Sequence, residues 1–196
     1  MGIFDDKKII REQVLIKRNS IDIVKKEEMD RKIIDKFYRS EYYRKSKNIF
    51  IYISYASEIN TKEIIKQSLK DNKKVYVPRT EFKNRLMDAV EITSLDNLTE
   101  SKYGILEPCI TEPHIDPNEL DLIVVPGVAF DIYGGRIGYG AGFYDRYFKK
   151  ISKENIRKIF KLVLAYELQI LEKVPTSEQD VPVSHIITEK NFYKKM

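Results

Sequence analysis

The residues with the clearest chemical potential lie in the run DLIVVPGVAFDIYGGRIGYGAGFYDRYF, positions 121–148. Four consecutive apolar residues, Leu122 to Val125, predict a strand buried on both faces. The chain then opens into Pro126, Gly127, Gly134, Gly135, Gly138, Gly140 and Gly142, so six of its eight glycines fall between positions 127 and 142. Ligands of open α/β sheets sit beyond the carboxyl ends of strands, where this segment begins. Glycines let backbone N–H groups approach an anion, and a helix beginning near Gly142 would add the positive end of its dipole. Arg136 and Arg146 add positive charge. The expected chemistry is the cradling of an anion, most simply a phosphate; a tight-turn loop without a ligand has the same composition. The run is not a P-loop, because no Gly-Lys-Ser/Thr closes it, and Gly138-x-Gly140-x-Gly142 lacks the third glycine of the dinucleotide fingerprint.

Val125-Pro126-Gly127-Val128-Ala129-Phe130-Asp131 followed by Gly135-Arg136-Ile137-Gly138-Tyr139-Gly140-Ala141-Gly142-Phe143-Tyr144-Asp145-Arg146 resembles the signature of the 5-formyltetrahydrofolate cyclo-ligase (5,10-methenyltetrahydrofolate synthetase) family. The resemblance extends over roughly residues 7–188. Lys7, Lys8 and Arg11 match the family's opening Lys-x-x-x-Arg, which implies ATP binding; residues four apart share a helical face and can grip a polyphosphate together. Glu58, in Tyr55-Ala56-Ser57-Glu58-Ile59-Asn60-Thr61, matches an acid that binds the pterin, and Ser54 joins that subsite. A carboxylate can accept two parallel hydrogen bonds from an aminopyrimidinone edge. Val77-Pro78-Arg79 matches a strand end where Arg79 would meet phosphate or the folate tail. Met87-Asp88, Glu91-Ile92 and Tyr103-Gly104-Ile105-Leu106-Glu107-Pro108 echo further family segments without an assigned role. Val174-Pro175-Thr176-Ser177-Glu178-Gln179-Asp180 resembles the segment whose Asp helps hold magnesium.

The resemblance implies an ATP-dependent ligase. Arg136, Tyr144 and Asp145 would be catalytic. Lys7, Lys8, Arg11, Arg79, Arg136, Gly138, Tyr139, Gly140, Ala141, Gly142 and Tyr144 would bind ATP. Ser54, Glu58, Tyr139, Gly140, Ala141, Gly142 and Phe143 would bind 5-formyltetrahydrofolate, and Asp145 and Asp180 would bind Mg²⁺, which favours oxygen ligands and phosphates. Some relatives carry Lys where this chain has Ala141; the substituting cation would then be Arg136, Arg146 or Lys7. Rival readings are another phosphate-ligand enzyme on a related fold, such as a sugar-phosphate isomerase, a non-catalytic folate- or nucleotide-binding module, and a nucleic-acid-binding protein.

The elements that must position these groups follow from the wider pattern. The chain has 196 residues, 42% hydrophobic and 33% charged, which excludes disordered and low-complexity classes. This length suits one domain over 1–196. The net charge of +5 fits an anionic ligand, and no nucleic-acid motif accompanies it. A lone Cys109 excludes an intrachain disulfide and a Cys-rich zinc site. His114 and His185 have no second His nearby, and neither is expected to act. No apolar run reaches the ~20 residues that span a bilayer. The opening MGIFDDKKIIREQ has no signal core, and Asp6 replaces the Ser or Thr of a myristoylation site. A cytoplasmic monomer or weak homodimer is expected, with small-molecule substrates and neither nucleic acid nor membrane as partner.

The first 45 residues read as helices, with Ile9, Ile10, Val14, Ile16 and Ile21 as one apolar face, Ser20 as the second helix's N-cap, and Ile33, Ile34 and Phe37 continuing inward. Residues 49–54 predict a strand, Asn60 and Glu63 a capping box, and Ile64, Ile65, Ser68 and Leu69 a helix ended by Asn72. Residues 75–77 predict a strand stopped by Pro78, making a parallel βαβ unit. Further strands are expected over 89–92, 159–166 and 185–188, with a loop-rich stretch over 95–120. The fold expected is a three-layer α/β/α sandwich with a mostly parallel central sheet and a helical N-terminal extension.

Overall fold

The structure, a computed structural model, describes residues 3–100, 104, 106–109 and 112–195. In chain order the elements are α1 (Ile3–Asn19), α2 (Ile23–Arg39), α3 (Glu41–Lys45), β1 (Asn48–Ile51), α4 (Thr61–Lys70), β2 (Lys74–Glu81), β3 (Leu86–Ile92), β4 (Thr99–Glu100), β5 (Leu106–Glu107), β6 (Leu122–Val124), β7 (Ala129–Phe130), β8 (Arg136–Ile137), α5 (Phe143–Phe148), α6 (Asn155–Lys158), β9 (Phe160–Leu164), β10 (His185–Ile187) and β11 (Phe192–Lys194). Seven strands form the main sheet in the order β11-β10-β9-β6-β1-β2-β3. The five inner strands are mutually parallel, and β3 and β11 run antiparallel along the two edges. The sheet is therefore mostly parallel, as its apolar strands required.

Alternation along the strands divides the core. Ile49, Ile51, Val75, Val77, Leu122, Val124, Leu162 and Leu164 face α2, α3 and α4. Phe50, Tyr76, Ile123, Val125 and Val163 face α5 and the α6 region. This is the three-layer arrangement. A third, smaller core joins α1 to the β7–β8 hairpin through Val14, Val128, Ala129, Ile137 and Val174.

Several local expectations change. Asp22, not Ser20, caps α2, its carboxylate accepting from Val24 and Lys25 N–H at 3.0 and 3.2 Å. Ile33, Ile34 and Phe37 are buried as expected, but Ile9 and Ile16 face solvent. The strand at 49–54 ends at Ile51. The Asn60 side chain makes no cap. Instead Thr61 Oγ1 accepts from Ser54 N at 2.8 Å while Ser54 Oγ accepts from Thr61 N at 3.2 Å. Asn72 ends α4 with φ +56°, within reach of an Asn. Pro78 does not stop β2, which pairs on with β3 through Pro78 opposite Ala89. Pairing with β1 has ended at Tyr76, so no strand needs an N–H on that side of Pro78. Of the segment Tyr103 to Pro108, Tyr103 and Ile105 lie outside the described residues, and Leu106 and Glu107 form one strand of a small hairpin.

Phe50 carries the link between sheet and site. It is fully buried on β1, with ring centroids 5.9 Å from Tyr144 and 5.0 Å from Tyr147 on α5. Phe50→Ala should lower the free energy of unfolding in urea by about 3–5 kcal/mol; a loss under about 1 kcal/mol would contradict this packing. At the opposite end of the sheet, His185 is buried with Nε2 2.8 Å from the Tyr42 hydroxyl and Nδ1 without a partner among the described residues. Burial, then Lys194 and Lys161, hold its pKa below the ordinary 6.5 against the opposing pull of Glu41. The unfolded chain therefore takes up this proton first. The contribution of His185 is full above pH 6.5 and is lost as the pH falls toward the folded value. Urea midpoints measured from pH 8 downward should drop through this window in the native protein, with a shallower drop in His185→Gln; equal slopes would exclude His185 as the source.

Candidate functional site

The site forms where the chain reverses its direction of travel across the sheet. From β1 it proceeds outward to β2 and β3, and from β6 it proceeds the other way to β9 and β10. The carboxyl ends of β1 and β6 lie side by side, Ile51 opposite Val124, and the loops leaving them diverge into a crevice. The β1 loop carries Glu58, and the β6 loop carries the glycine-rich run.

That run is held by buried polar anchors. Asp131 is 2% exposed. Its Oδ1 accepts from the Tyr133 and Gly135 N–H groups at 2.9 and 2.8 Å, and its Oδ2 from Val174 N–H at 2.9 Å. A Cβ at Gly135 would collide with the Asp131 carboxylate and with Val174. Buried Gln169 donates Nε2–H to the carbonyls of Gly127 and Val128. Gly140 and Gly142 take φ +105° and +67°, and Gly142 leads into α5 as expected. That helix has six residues, so its dipole is slight.

Arg136 is 8% exposed and donates Nη2–H to Asp145 Oδ1 at 2.8 Å and Nη1–H to the Pro126 carbonyl at 3.3 Å. Its Nε has no partner among the described residues, and neither has the buried Tyr144 hydroxyl. The guanidinium lies 6.0 Å over the Tyr144 ring. A Cβ on Gly138 would come 2.9 Å from Arg136 Nη1, so glycine is what lets the guanidinium and the loop share this space. Burial, then the Glu58 charge, pushes the Tyr144 pKa far above its usual value and keeps the phenol protonated. Two unpartnered buried donors on one wall are costly unless something accepts from them.

The acidic pair is assembled alongside. Asp145 Oδ1 also accepts from Val181 N–H at 3.3 Å, which brings the Asp180 turn next to it. Asp180 accepts from Lys7 Nζ at 2.5 Å and from Ser177 N–H at 2.7 Å. Burial raises the Asp180 pKa, but the bonds from Lys7 and Ser177 outweigh it and hold the carboxyl below its ordinary range. Among the described residues, no three His, Cys, Asp or Glu side chains cluster closely enough to hold a metal ion.

Helix α1 closes the crevice from the far side of the chain. Lys7 reaches Asp180, and Arg11 donates Nε–H to the Gly138 carbonyl at 2.8 Å, so the pair four residues apart does share a face toward the loop. Lys8 points to solvent. Two turns beyond Arg11, buried Arg18 donates to Ser57 Oγ at 2.9 Å and to the Tyr139 hydroxyl at 3.0 Å. Tyr139 in turn donates to Glu58 Oε1 at 2.5 Å, while Glu58 Oε2 accepts from Tyr55 N–H at 2.9 Å. Burial raises the Glu58 pKa above its ordinary value, against the lowering pull of Tyr139 and Arg18. No motif in the sequence marks Arg18. The available signal was spacing: Lys7, Arg11, Val14 and Arg18 fall on one helical stripe.

Other expected members sit elsewhere or are committed. Arg79 lies within β2 rather than at a strand end, donating to the carbonyls of Cys109 and Glu112 and pairing with Asp88 at 3.5 Å. Ser54 is at the crevice floor, but its side chain is spent on the start of α4. Arg146 donates to the Ala141 and Arg85 carbonyls, tying the glycine-rich loop to the β2–β3 turn. Phe143 packs edge-on against Phe82 of that turn at 5.2 Å.

The chain matches the model of the 5-formyltetrahydrofolate cyclo-ligase family over residues 4–189. It is 36% identical over 181 residues to a "probable 5-formyltetrahydrofolate cyclo-ligase" of Caenorhabditis elegans, covering 85% of each chain. It is 35% identical over 146 residues to the 5-formyltetrahydrofolate cyclo-ligase of Haemophilus influenzae, covering 74% of this chain and 76% of that one. Its fold resembles the solution structure of Aquifex aeolicus 5,10-methenyltetrahydrofolate synthetase, with a TM-score of 0.83 at 30% identity over 96% of this chain and 92% of that one.

Asp131 is the anchor whose removal tests the architecture of the loop. Asp131→Ala strands three N–H donors, two of them buried, and should lower unfolding stability by about 2–5 kcal/mol while abolishing order in the loop. Urea unfolding reads the first effect, and hydrogen exchange at Tyr133, Gly135 and Val174 reads the second. Native protection at those amides in the variant would show that the hairpin does not depend on Asp131.

Proposed function

The chain belongs to the 5-formyltetrahydrofolate cyclo-ligase family and is a ligase, and from that membership we propose that its single domain converts 5-formyltetrahydrofolate to 5,10-methenyltetrahydrofolate, with ATP as phosphoryl donor and Mg²⁺ on the polyphosphate. The observation that carries the reading is the wall made by Arg136 and Tyr144, whose buried Nε and hydroxyl await an acceptor at the carboxyl ends of β1 and β6.

The formyl oxygen is a weak nucleophile and a worse leaving group. Its attack on the γ-phosphorus, with ADP departing, turns it into a phosphate ester of an imidate. Nitrogen 10 then adds to the activated carbon, phosphate leaves with the C–O bond electrons, and nitrogen 10 loses its proton. The protein supplies placement and charge neutralisation rather than a nucleophile. Glu58 orients the pterin, with Tyr139, Ala141 and Phe143 beside it. Lys7, Arg11 and the amides of Gly138 to Gly142 grip the triphosphate. Arg136 meets the charge that develops at the transferring phosphoryl group, and Tyr144 donates from below. With Ala141 where some relatives carry Lys, Arg136 and Lys7 remain of the three candidate substitutes, since Arg146 is turned to carbonyls. Asp145 and Asp180 offer hard carboxylate oxygens on adjoining segments, a set that fits Mg²⁺ completed by phosphate and water. Bound there, the ion would neutralise phosphate charge.

The direct test mixes purified protein with 5-formyltetrahydrofolate, ATP and Mg²⁺ and follows the near-ultraviolet absorbance of the methenyl product. Signal that requires both ATP and Mg²⁺ is expected; its absence with ATP binding intact would overturn the reading. Arg136→Ala and Asp145→Ala should each lower kcat by at least about 10²-fold while circular dichroism stays native. A fully active Asp145→Ala enzyme would remove Asp145 from the metal site.

A further inference from the structure

Arg18 is 4% exposed, yet its partners among the described residues are all neutral: Ser57 Oγ at 2.9 Å, the Tyr139 hydroxyl at 3.0 Å and the Tyr139 ring at 5.8 Å. A guanidinium taken out of water with no carboxylate in direct contact, the Glu58 charge reaching it only across the Tyr139 hydroxyl, is costly to keep. The Tyr139 hydroxyl is equally distinctive. It belongs to a half-exposed residue on the glycine-rich loop, yet it reaches inward to accept from Arg18 and to donate to Glu58 Oε1 at 2.5 Å. The second Glu58 oxygen is already taken by Tyr55 N–H. A buried donor and a half-buried acceptor therefore converge on one oxygen atom. Their complement is a group that carries an N–H beside a C=O, as the lactam edge of a 2-amino-4-oxopteridine does.

We propose that Arg18 is a substrate-recognising residue, its guanidinium taking the pteridine ring carbonyl while Glu58 takes the neighbouring ring N–H, and that the Tyr139 hydroxyl holds this donor–acceptor pair until folate displaces it. The proposal rests on the assignment of Glu58 to the pterin and supplies the other half of that edge. It also gives Arg18 a selectivity. A 4-amino group in place of the carbonyl would turn an acceptor into a donor facing a guanidinium.

Equilibrium binding of folic acid and of its 4-amino analogue to the purified full chain tests this, in the native protein and in Arg18→Met, Tyr139→Phe and Glu58→Gln, each checked by circular dichroism. The native protein should prefer the 4-oxo ligand. Arg18→Met should lower the ratio of the two affinities by about tenfold, the worth of one charge-assisted hydrogen bond. If both ligands weaken alike, or neither changes, Arg18 is a strut and the proposal is overturned. Tyr139→Phe keeps the ring and removes the hydroxyl. It should tighten the 4-oxo ligand severalfold, unchanged or weaker binding overturns the displacement, and this arm decides if Arg18→Met does not fold. Glu58→Gln separates the two layers. Unchanged 4-oxo binding in that variant means that the assignment of Glu58 itself fails. A large loss there, with an unaltered ratio in Arg18→Met, means that only Arg18 fails.

Discussion

The parallel pairing of β1 with β6, Ile49 opposite Leu122 through Ile51 opposite Val124, is the contact on which the site depends. These strands are far apart in sequence and leave the sheet at the same edge. Because the chain winds outward in opposite directions from them, no crossover covers the space above their ends. Glu58 enters that space from one loop, and Arg136 and Tyr144 enter it from the other. Beneath them Phe50, on the central strand β1, supports the Tyr144 ring. A shift of one residue in the β1 register would send Phe50 to the opposite face and remove that support.

Above the sheet the governing term is the cost of burying charge. Asp131 meets it with three N–H donors, and Arg136 meets it with Asp145 and a carbonyl. Asp30 meets it with Lys26, the Tyr166 hydroxyl and the Asn60 N–H. That last bond fixes the start of α4 and with it the loop bearing Glu58. Such groups add little net stability over an apolar core, but each has one geometry in which it is satisfied. Backbone segments without regular structure are thereby held in single conformations. Among the described residues, two of the five buried side-chain polar atoms without a partner, Arg136 Nε and the Tyr144 hydroxyl, lie at the crevice.

Much of this was legible in the residues. The β-branched and apolar runs marked the inner strands, and the glycine cluster with Arg136 and Asp145 marked the loop. What stayed hidden depends on partners distant in sequence. Pro78 is admissible inside β2 only because β1 ends early, which local propensity cannot register. Asp131 and Gln169 read as unremarkable polar residues until the fold brings Val174 and Gly127 to them. Arg79 falls in a family-like context, yet the loop at Cys109 and Glu112 folds back to engage it. Ile9 and Ile16 fit a helical period but lie on the face away from the hairpin. The stripe that mattered on α1 was mixed, with three cations and one valine, and a search for apolar periodicity passes over such a pattern.

That stripe changes what α1 is. Among its described residues only Val14 and Arg18 are buried, with Ile10 and Leu15 packing partly buried against the same small core, so its apolar attachment to the body is modest. Its other attachments are Lys7 to Asp180, Arg11 to the Gly138 carbonyl, and Arg18 to Ser57 and Tyr139. Every one of these ends on a group within or beside the crevice. In water such contacts hold weakly, because each exchanges solvent partners for protein partners. Under the proposed function, a triphosphate in the crevice would add attraction to Lys7 and Arg11 without breaking the apolar contacts around Val14. The docking of α1 and the proposed binding of a polyphosphate would then be coupled through shared charges, each favouring the other by the same free energy. The N-terminal helix is accordingly a wall of the site, held by a small apolar core and by cations whose contacts end at the crevice.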